Sequence, residues 1–209
     1  MNCLCKIGKT SEAIGLLRKI EERNLELDVV LYSTIIDSLC KDILVIEALT
    51  HFSEMTNRGI QQNVFTCNSL IQGLCNFGRW KEVTKLWNEM VERKIMPNVH
   101  TFSILVDTLG KEGKLTEAKE VFDVMIQRGI QPTVCTYNSL IDGYYLQNRM
   151  GEAVKVFNMM VSKGCVPCVV SYNILINGYC KNRKIDEAIS LFREMSTKGI
   201  FPMLSLTTL

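Results

Sequence analysis

Five short polar side chains recur at a fixed interval: Ser33, Asn68, Ser103, Asn138 and Asn173 stand 35 residues apart. Amides donate and accept hydrogen bonds, and a hydroxyl does both in less space, so such a row can read the polar edges of a flat ligand. Four residues further on lies a second polar row, Asp37, Gln72, Asp107, Asp142 and Asn177. Four more bring Lys41, Asn76, Lys111, Leu146 and Lys181, with Lys6 in the same place of an incomplete first unit. On a helix, positions four apart share one side. The rows therefore predict a groove of amides and hydroxyls edged by lysines, which suits a single strand with spaced phosphates. A plain solvated face would use Asp37–Lys41 and Asp107–Lys111 as i,i+4 pairs worth about 0.2–0.5 kcal/mol each. The first row, however, holds only Ser or Asn, with Thr208 in the following unit and never a long charged side chain. A mere surface would vary more.

The elements that must carry these rows are set by punctuation. The four prolines of the chain, Pro97, Pro132, Pro167 and Pro202, are also 35 residues apart. In register with them run Glu12-Ala13, Glu47-Ala48, Glu117-Ala118, Glu152-Ala153 and Glu187-Ala188, then Met55, Met90, Met125, Met160 and Met195. A period of this length marks a solenoid whose units bury their faces on their neighbours. With slot one at Val29, full repeats cover 29–63, 64–98, 99–133, 134–168 and 169–203, flanked by partial stretches 1–28 and 204–209 of a single array over 1–209. Each repeat reads as two helices. Tyr137, Leu140, Ile141 and Tyr144 form one apolar stripe with helical spacing, and Val154, Phe157 and Met160 form another. Glycines at 59, 129, 164 and 199 supply the turn after the second helix, and the prolines forbid its continuation. The expected fold is all-α, a solenoid of 35-residue helix-turn-helix repeats.

Composition narrows the function classes. With 24 Lys+Arg against 22 Asp+Glu the formal net charge is only +2, so no strong single-sign field drives binding. No apolar run is long enough for a membrane helix, and Met1 to Lys6 shows no targeting pattern. Nine cysteines, an odd number without a secretory signal, argue for packed thiols, and Cys5, Cys40, Cys75 and Cys180 share slot twelve as packing residues. Cys165-Val166-Pro167-Cys168 has chelating spacing but lacks a second pair, and His51 and His100 occupy unrelated slots, so neither a metal nor a cofactor is expected. No nucleophile constellation, phosphate-cradling loop or acid cluster is present, and the expectation is a binding protein, not an enzyme.

The run Val134-Cys135-Thr136-Tyr137-Asn138-Ser139-Leu140-Ile141-Asp142-Gly143, with Glu152-Ala153, Phe157, Met160, Gly164 and Pro167, resembles a pentatricopeptide repeat. Val169 to Lys181 resembles another. The uniform length is similar to the pure class, and the pairs Cys5-Lys6, Cys40-Lys41 and Cys180-Lys181 are similar to restorer-of-fertility-like members in plants. The resemblance implies a right-handed superhelix that binds single-stranded RNA in organellar RNA processing, stability or translation, in mitochondria first and chloroplasts second. It also implies one base read per repeat by slots five and thirty-five, with slot two from adjacent repeats sandwiching the base. Carried over, Ser33 with Asn63 implies adenine, and Asn68 with Asn98 implies cytosine or uracil. Ser103 with Thr133 leans to a purine, whereas Asn138 with Cys168 and Asn173 with Met203 lean to pyrimidines. Asp28 would favour uracil or guanine, and Thr208 would begin a purine reader. Val30, Phe65, His100, Cys135 and Val170 take the stacking slot, with Ser205 following. Lys6, Lys41, Lys111 and Lys181 are assigned to phosphates. The implied core is 5′-A-Y-R-Y-Y-3′, with the amino end toward the 5′ side.

The competing reading is a peptide-binding scaffold of the tetratricopeptide kind, which has a 34-residue repeat and charged clamps in place of Asn and Ser. The array starts at slot eight and stops at slot six, the pattern of a run within a longer solenoid. Leu4, Ile14 and Leu17 at one end, and Ile189, Phe192 and Met195 at the other, are then expected to expose apolar area and favour head-to-tail self-association.

Overall fold

The computed structural model describes residues 4–5, 8–23 and 27–200, and Lys6, Met203, Ser205 and Thr208 lie outside the described residues. Eleven helices are placed among them: α1 (Thr10–Glu22), α2 (Val29–Lys41), α3 (Val45–Asn57), α4 (Val64–Asn76), α5 (Trp80–Glu92), α6 (Val99–Lys111), α7 (Leu115–Gln127), α8 (Val134–Leu146), α9 (Met150–Ser162), α10 (Val169–Lys181) and α11 (Ile185–Thr197). The starts at Val29, Val64, Val99, Val134 and Val169 keep the 35-residue interval of the polar rows. The chain divides into two compact units, Met1–Ile104 and Leu105–Leu209, with the division inside α6.

The first unit packs its helices through the positions that the stripe singles out. Tyr32, Ile35, Ile36, Ala48 and Met55 are fully buried, as are Leu70, Ile71 and Met90. Trp87 of α5 meets Phe102 of α6 edge to face, with centroids 5.6 Å apart, the arrangement that aromatic quadrupoles favour. In the second unit the same geometry recurs between Phe122 and Tyr137 at 5.4 Å and between Phe157 and Tyr172 at 5.3 Å. Each pair joins the second helix of one repeat to the first helix of the next, so a single ring contact ties neighbours together.

Two expectations are corrected by burial. Leu17 and Met195 are buried at 1% and 0% exposure, so they are not part of an open end; Ile189 and Phe192 are exposed. Cys40 and Cys75 are buried as packing residues should be, but Cys180 in the same slot is exposed. Among the described residues no first helix follows α10 to cover it.

The turn after the second helix of each full repeat is left-handed whatever residue occupies it. Gly59, Gly129, Gly164 and Gly199 have φ between 71° and 75°, and Lys94, filling the gap in the glycine series, takes φ 58°. A non-glycine residue accepts this conformation at a cost, because the turn geometry overdetermines it.

Some glycines are there for space. A Cβ on Gly143 of α8 would sit 3.0 Å from the Cα of Gly110 in α6 and 2.9 Å from Leu115 Cδ2. The backbones approach too closely for any side chain. Gly15 in α1 meets nothing within 4 Å. Alanine in a helix interior gains up to about 1 kcal/mol over glycine. Gly15→Ala should therefore raise stability by about that amount, whereas Gly143→Ala should lower it by about 1 kcal/mol, since overpacking costs about 1–3 kcal/mol. Urea unfolding of both variants checks the opposite signs.

Candidate nucleic-acid interface

The slot-thirty-five residues are the residues that start the first helices. Asp28 accepts the Leu31 N–H at 2.9 Å to cap α2, and Asn63 Oδ1 accepts the Thr66 N–H at 2.9 Å to cap α4. Asn98 Oδ1 takes the backbone N–H of His100 at 3.0 Å and of Thr101 at 3.1 Å at the start of α6. In the second unit Thr133 and Thr136 form a reciprocal capping box on α8. The backbone is extended at these positions, with ψ near 170° at Asp28, Asn63 and Thr133. The cap places the side chain beside the first turn of the helix.

Slot five comes to meet it. In the first unit Asn68 Nδ2 donates to Asn98 Oδ1 at 3.3 Å, bringing together the two residues assigned to one base. In the second unit Asn138 Nδ2 lies 3.6 Å from Cys168 Sγ. Ser33 is buried and bonds to Thr66, which in turn donates to Asn63 Oδ1 at 3.0 Å. Ser103 is half-buried and Asn173 is exposed. Asn138 Oδ1 is buried without a hydrogen-bond partner, an unspent acceptor beside the thiol.

The stacking slot is open in every repeat described. Val30, Phe65 and Val170 are 62%, 54% and 56% exposed despite being apolar, and His100 and Cys135 are exposed too. Large apolar groups held out of the core on the rim of a polar row form surfaces on which a flat ring can stack.

The lysines are less available than their spacing suggests. Lys41 pairs with Asp37 at 2.5 Å, and Lys111 with Asp107 at 2.6 Å, while their ammonium groups stay exposed. Asp37 also accepts from Ser69 at 3.0 Å and Asp107 from Ser139 at 2.9 Å, so each carboxylate links successive first helices within its unit. Lys181 lies 4.6 Å over the Tyr145 ring, a cation–π placement. Burial, and then the neighbouring Asp107 carboxylate, pushes the Asp142 carboxyl above its usual range.

The thiols separate by environment. Burial pushes Cys40 and Cys67 up to about 12, with the Asp37 carboxylate adding to the effect at Cys40. Cys168 goes the other way: burial disfavours its thiolate, but hydrogen bonds from Ser171, Val170 and Asn138 outweigh that and lower its pKa. Among the described residues no group of three or more His, Cys, Asp or Glu side chains could hold a metal ion, and no helix is long and apolar enough to cross a membrane.

Sequence reasoning did not single out slot three. Thr66, Thr101, Thr136 and Ser171 are all fully buried. A hydroxyl in four of five repeats, with Leu31 in the remaining one, was the available signal.

Paired helices recurring every 35 residues, with caps and polar rows in register, define an all-α helical-repeat solenoid. Models of the PPR repeat family match residues 27–76, 62–111, 107–145 and 132–167, and PPR repeat models match 163–196 and 1–25. The chain belongs to the pentatricopeptide repeat family. Among solved structures it is similar to the pentatricopeptide repeat protein PPR10 in complex with an 18-nt psaJ RNA element, at 25% identity and a TM-score of 0.76. That match covers 96% of this chain and 33% of the other, so the chain spans about a third of that relative's length. PPR10 from maize also matches, at 21% identity, a TM-score of 0.74 and the same coverage, 96% and 33%. The PPR domain of Arabidopsis thaliana protein-only RNase P 1 in complex with tRNA matches at 20% identity and a TM-score of 0.68, covering 85% of this chain and 93% of that one. No curated protein matches the chain.

Proposed function

We propose that the chain binds single-stranded RNA as a binding module, one base per repeat, in organellar RNA processing, with mitochondria as the first compartment. The observation that carries this reading is the pairing of Asn68 Nδ2 with Asn98 Oδ1 at 3.3 Å, in a stretch where slot two of both repeats, Phe65 and His100, is exposed. In the proposed arrangement these two amides face one base, and the stacking slots of successive repeats sandwich it. Family membership and the RNA named with PPR10 support it further.

The chemistry of each gap follows from what the caps have already used. Asn98 spends Oδ1 on the start of α6 and on Asn68, which leaves its amide N–H groups for a ligand. Donors of that kind favour the acceptor edge of a pyrimidine. Ser33 carries a small hydroxyl, bonded to Thr66, at the position that the family resemblance assigns to a purine. The proposed core remains 5′-A-Y-R-Y-Y-3′ over the five repeats. Selection from random RNA, run beside titrations with the matching DNA and with peptides, tests it: enrichment of that core supports the reading, and no enrichment or equal peptide binding defeats it.

Lys41, Lys111 and Lys181 are proposed as phosphate ligands that exchange an intramolecular partner for the strand. Replacing all three by Ala should weaken every RNA about equally and reduce the salt slope by roughly 0.7 for each phosphate no longer neutralised. An unchanged slope in the triple variant would mean that Asp37, Asp107 and Tyr145 are their only partners. The exposed Ile189 and Phe192 leave head-to-tail association as a further proposal, read by sedimentation across concentration.

A further inference from the structure

The hydroxyl at the third residue of a first helix sits between the two residues assigned to the base of the preceding repeat. The Thr101 hydroxyl donates to Asn68 Oδ1 at 2.7 Å, accepts the Asn98 backbone N–H at 3.1 Å and lies 3.3 Å from Asn98 Oδ1. Thr66 sits in the same place one repeat earlier: it donates to Asn63 Oδ1 at 3.0 Å and is bonded to Ser33 Oγ. Neither threonine reaches solvent, since both are 0% exposed. Neither can therefore touch RNA itself.

Such a hydroxyl has one proton, and where it goes decides what the reading group can offer. At Asn68 the proton lands on Oδ1, so the carbonyl end of the amide is occupied and the NH2 end is turned toward Asn98 and the gap. An amide free to rotate would present either a donor or an acceptor, and would read two kinds of edge almost equally well. At Ser33 the order is reversed: Thr66 spends its proton on Asn63 and accepts from Ser33, which leaves the serine oxygen as an acceptor.

We propose that Thr66 and Thr101 are positioning residues for base specificity, each acting backward on the base of the repeat before its own by fixing which hydrogen-bonding atom Ser33 or Asn68 presents. The proposal rests on the base-reading function above and adds residues to it. The fourth repeat supplies the contrast. Ser171, in the corresponding place, accepts the Cys168 N–H at 3.1 Å and contacts Cys168 Sγ at 3.6 Å, and Asn138 Oδ1 is left without a partner. That amide is held only at its NH2 end, by the weak contact to Cys168 Sγ at 3.6 Å, and its repeat should discriminate less.

The test measures Kd for a panel of RNAs carrying each of the four bases at one site, with the other sites constant. For wild type the spread at the second base should be about tenfold or more, as expected for an oriented polar contact. Thr101→Val removes the hydroxyl at nearly constant shape and should collapse that spread to about threefold or less, while the first base is read as before. Thr101→Ser should restore it. Thr66→Val should change the spread at the first base and leave the second unchanged, although Thr66 belongs to the second repeat. Ser171→Ala should leave the fourth base unaffected. An undiminished spread in Thr101→Val would overturn the proposal. So would a uniform loss of affinity at all bases accompanied by a lower Tm, because that is the result of a weakened helix cap alone. A wild type with no base dependence at any site would instead sink the base-reading function, and the proposal with it.

Discussion

Replacing Tyr137 by Ala is expected to lower the stability of the chain by about 3–5 kcal/mol, the range for removing a large buried aromatic side chain. Tyr137 is 2% exposed and its ring meets Phe122 edge to face at 5.4 Å. The loss is larger than for an average core residue because that ring joins two repeats, and a solenoid's stability is a sum of repeat and nearest-neighbour contributions. Tyr137→Phe keeps the ring pair and should cost far less. Urea unfolding followed by circular dichroism measures both, and a loss below about 1 kcal/mol for the alanine variant would show that the aromatic pair is not a principal tie between repeats.

Asn68→Thr is expected to turn the second repeat from pyrimidine toward purine, with a change of about 1–3 kcal/mol in relative affinity, that is, roughly fivefold to 150-fold. The shorter side chain gives up the 3.3 Å bond to Asn98 and the bond from Thr101, and it opens the space a larger base needs. Competition between RNAs that differ only at that base reads the change. Unchanged preference would remove slot five from the recognition scheme.

Helix positions and the core were legible because both follow from periodicity. The spacing of Tyr137, Leu140 and Ile141 defines a stripe, and all three are buried. What periodicity cannot encode is the direction of a hydrogen bond. Lys41 and Lys111 have the spacing of a phosphate ladder, yet each points to the carboxylate one turn back. Thr66 and Thr101 carry no functional look in the sequence, because their role depends on which residue of the preceding repeat arrives beside them. Cys180 and Phe192 belong to packing slots but are exposed, since a slot is buried only where the neighbouring helix covers it. Ile43 is a comparable case: a β-branched residue at φ 68°, in a turn that other repeats fill with Gly78, Gly113 or Asn148. The turn, not the local preference, determines its backbone.

Because Asp28, Asn63, Asn98 and Thr133 cap the helices they precede, the proposed reading of a base at these positions would be restricted by what can begin a helix. A polar cap replaced by Ala costs about 0.5–2 kcal/mol. Each rewriting of a target is therefore also an edit to the neighbouring repeat's foundation. Cys168 meets the start of α10 through the Ser171 hydroxyl, 3.6 Å from its sulfur, a longer contact than the 2.9 Å oxygen caps at Asp28 and Asn63. An array redesigned for a new RNA should keep short polar acceptors at these positions and draw its diversity from slot five, which holds both Ser and Asn.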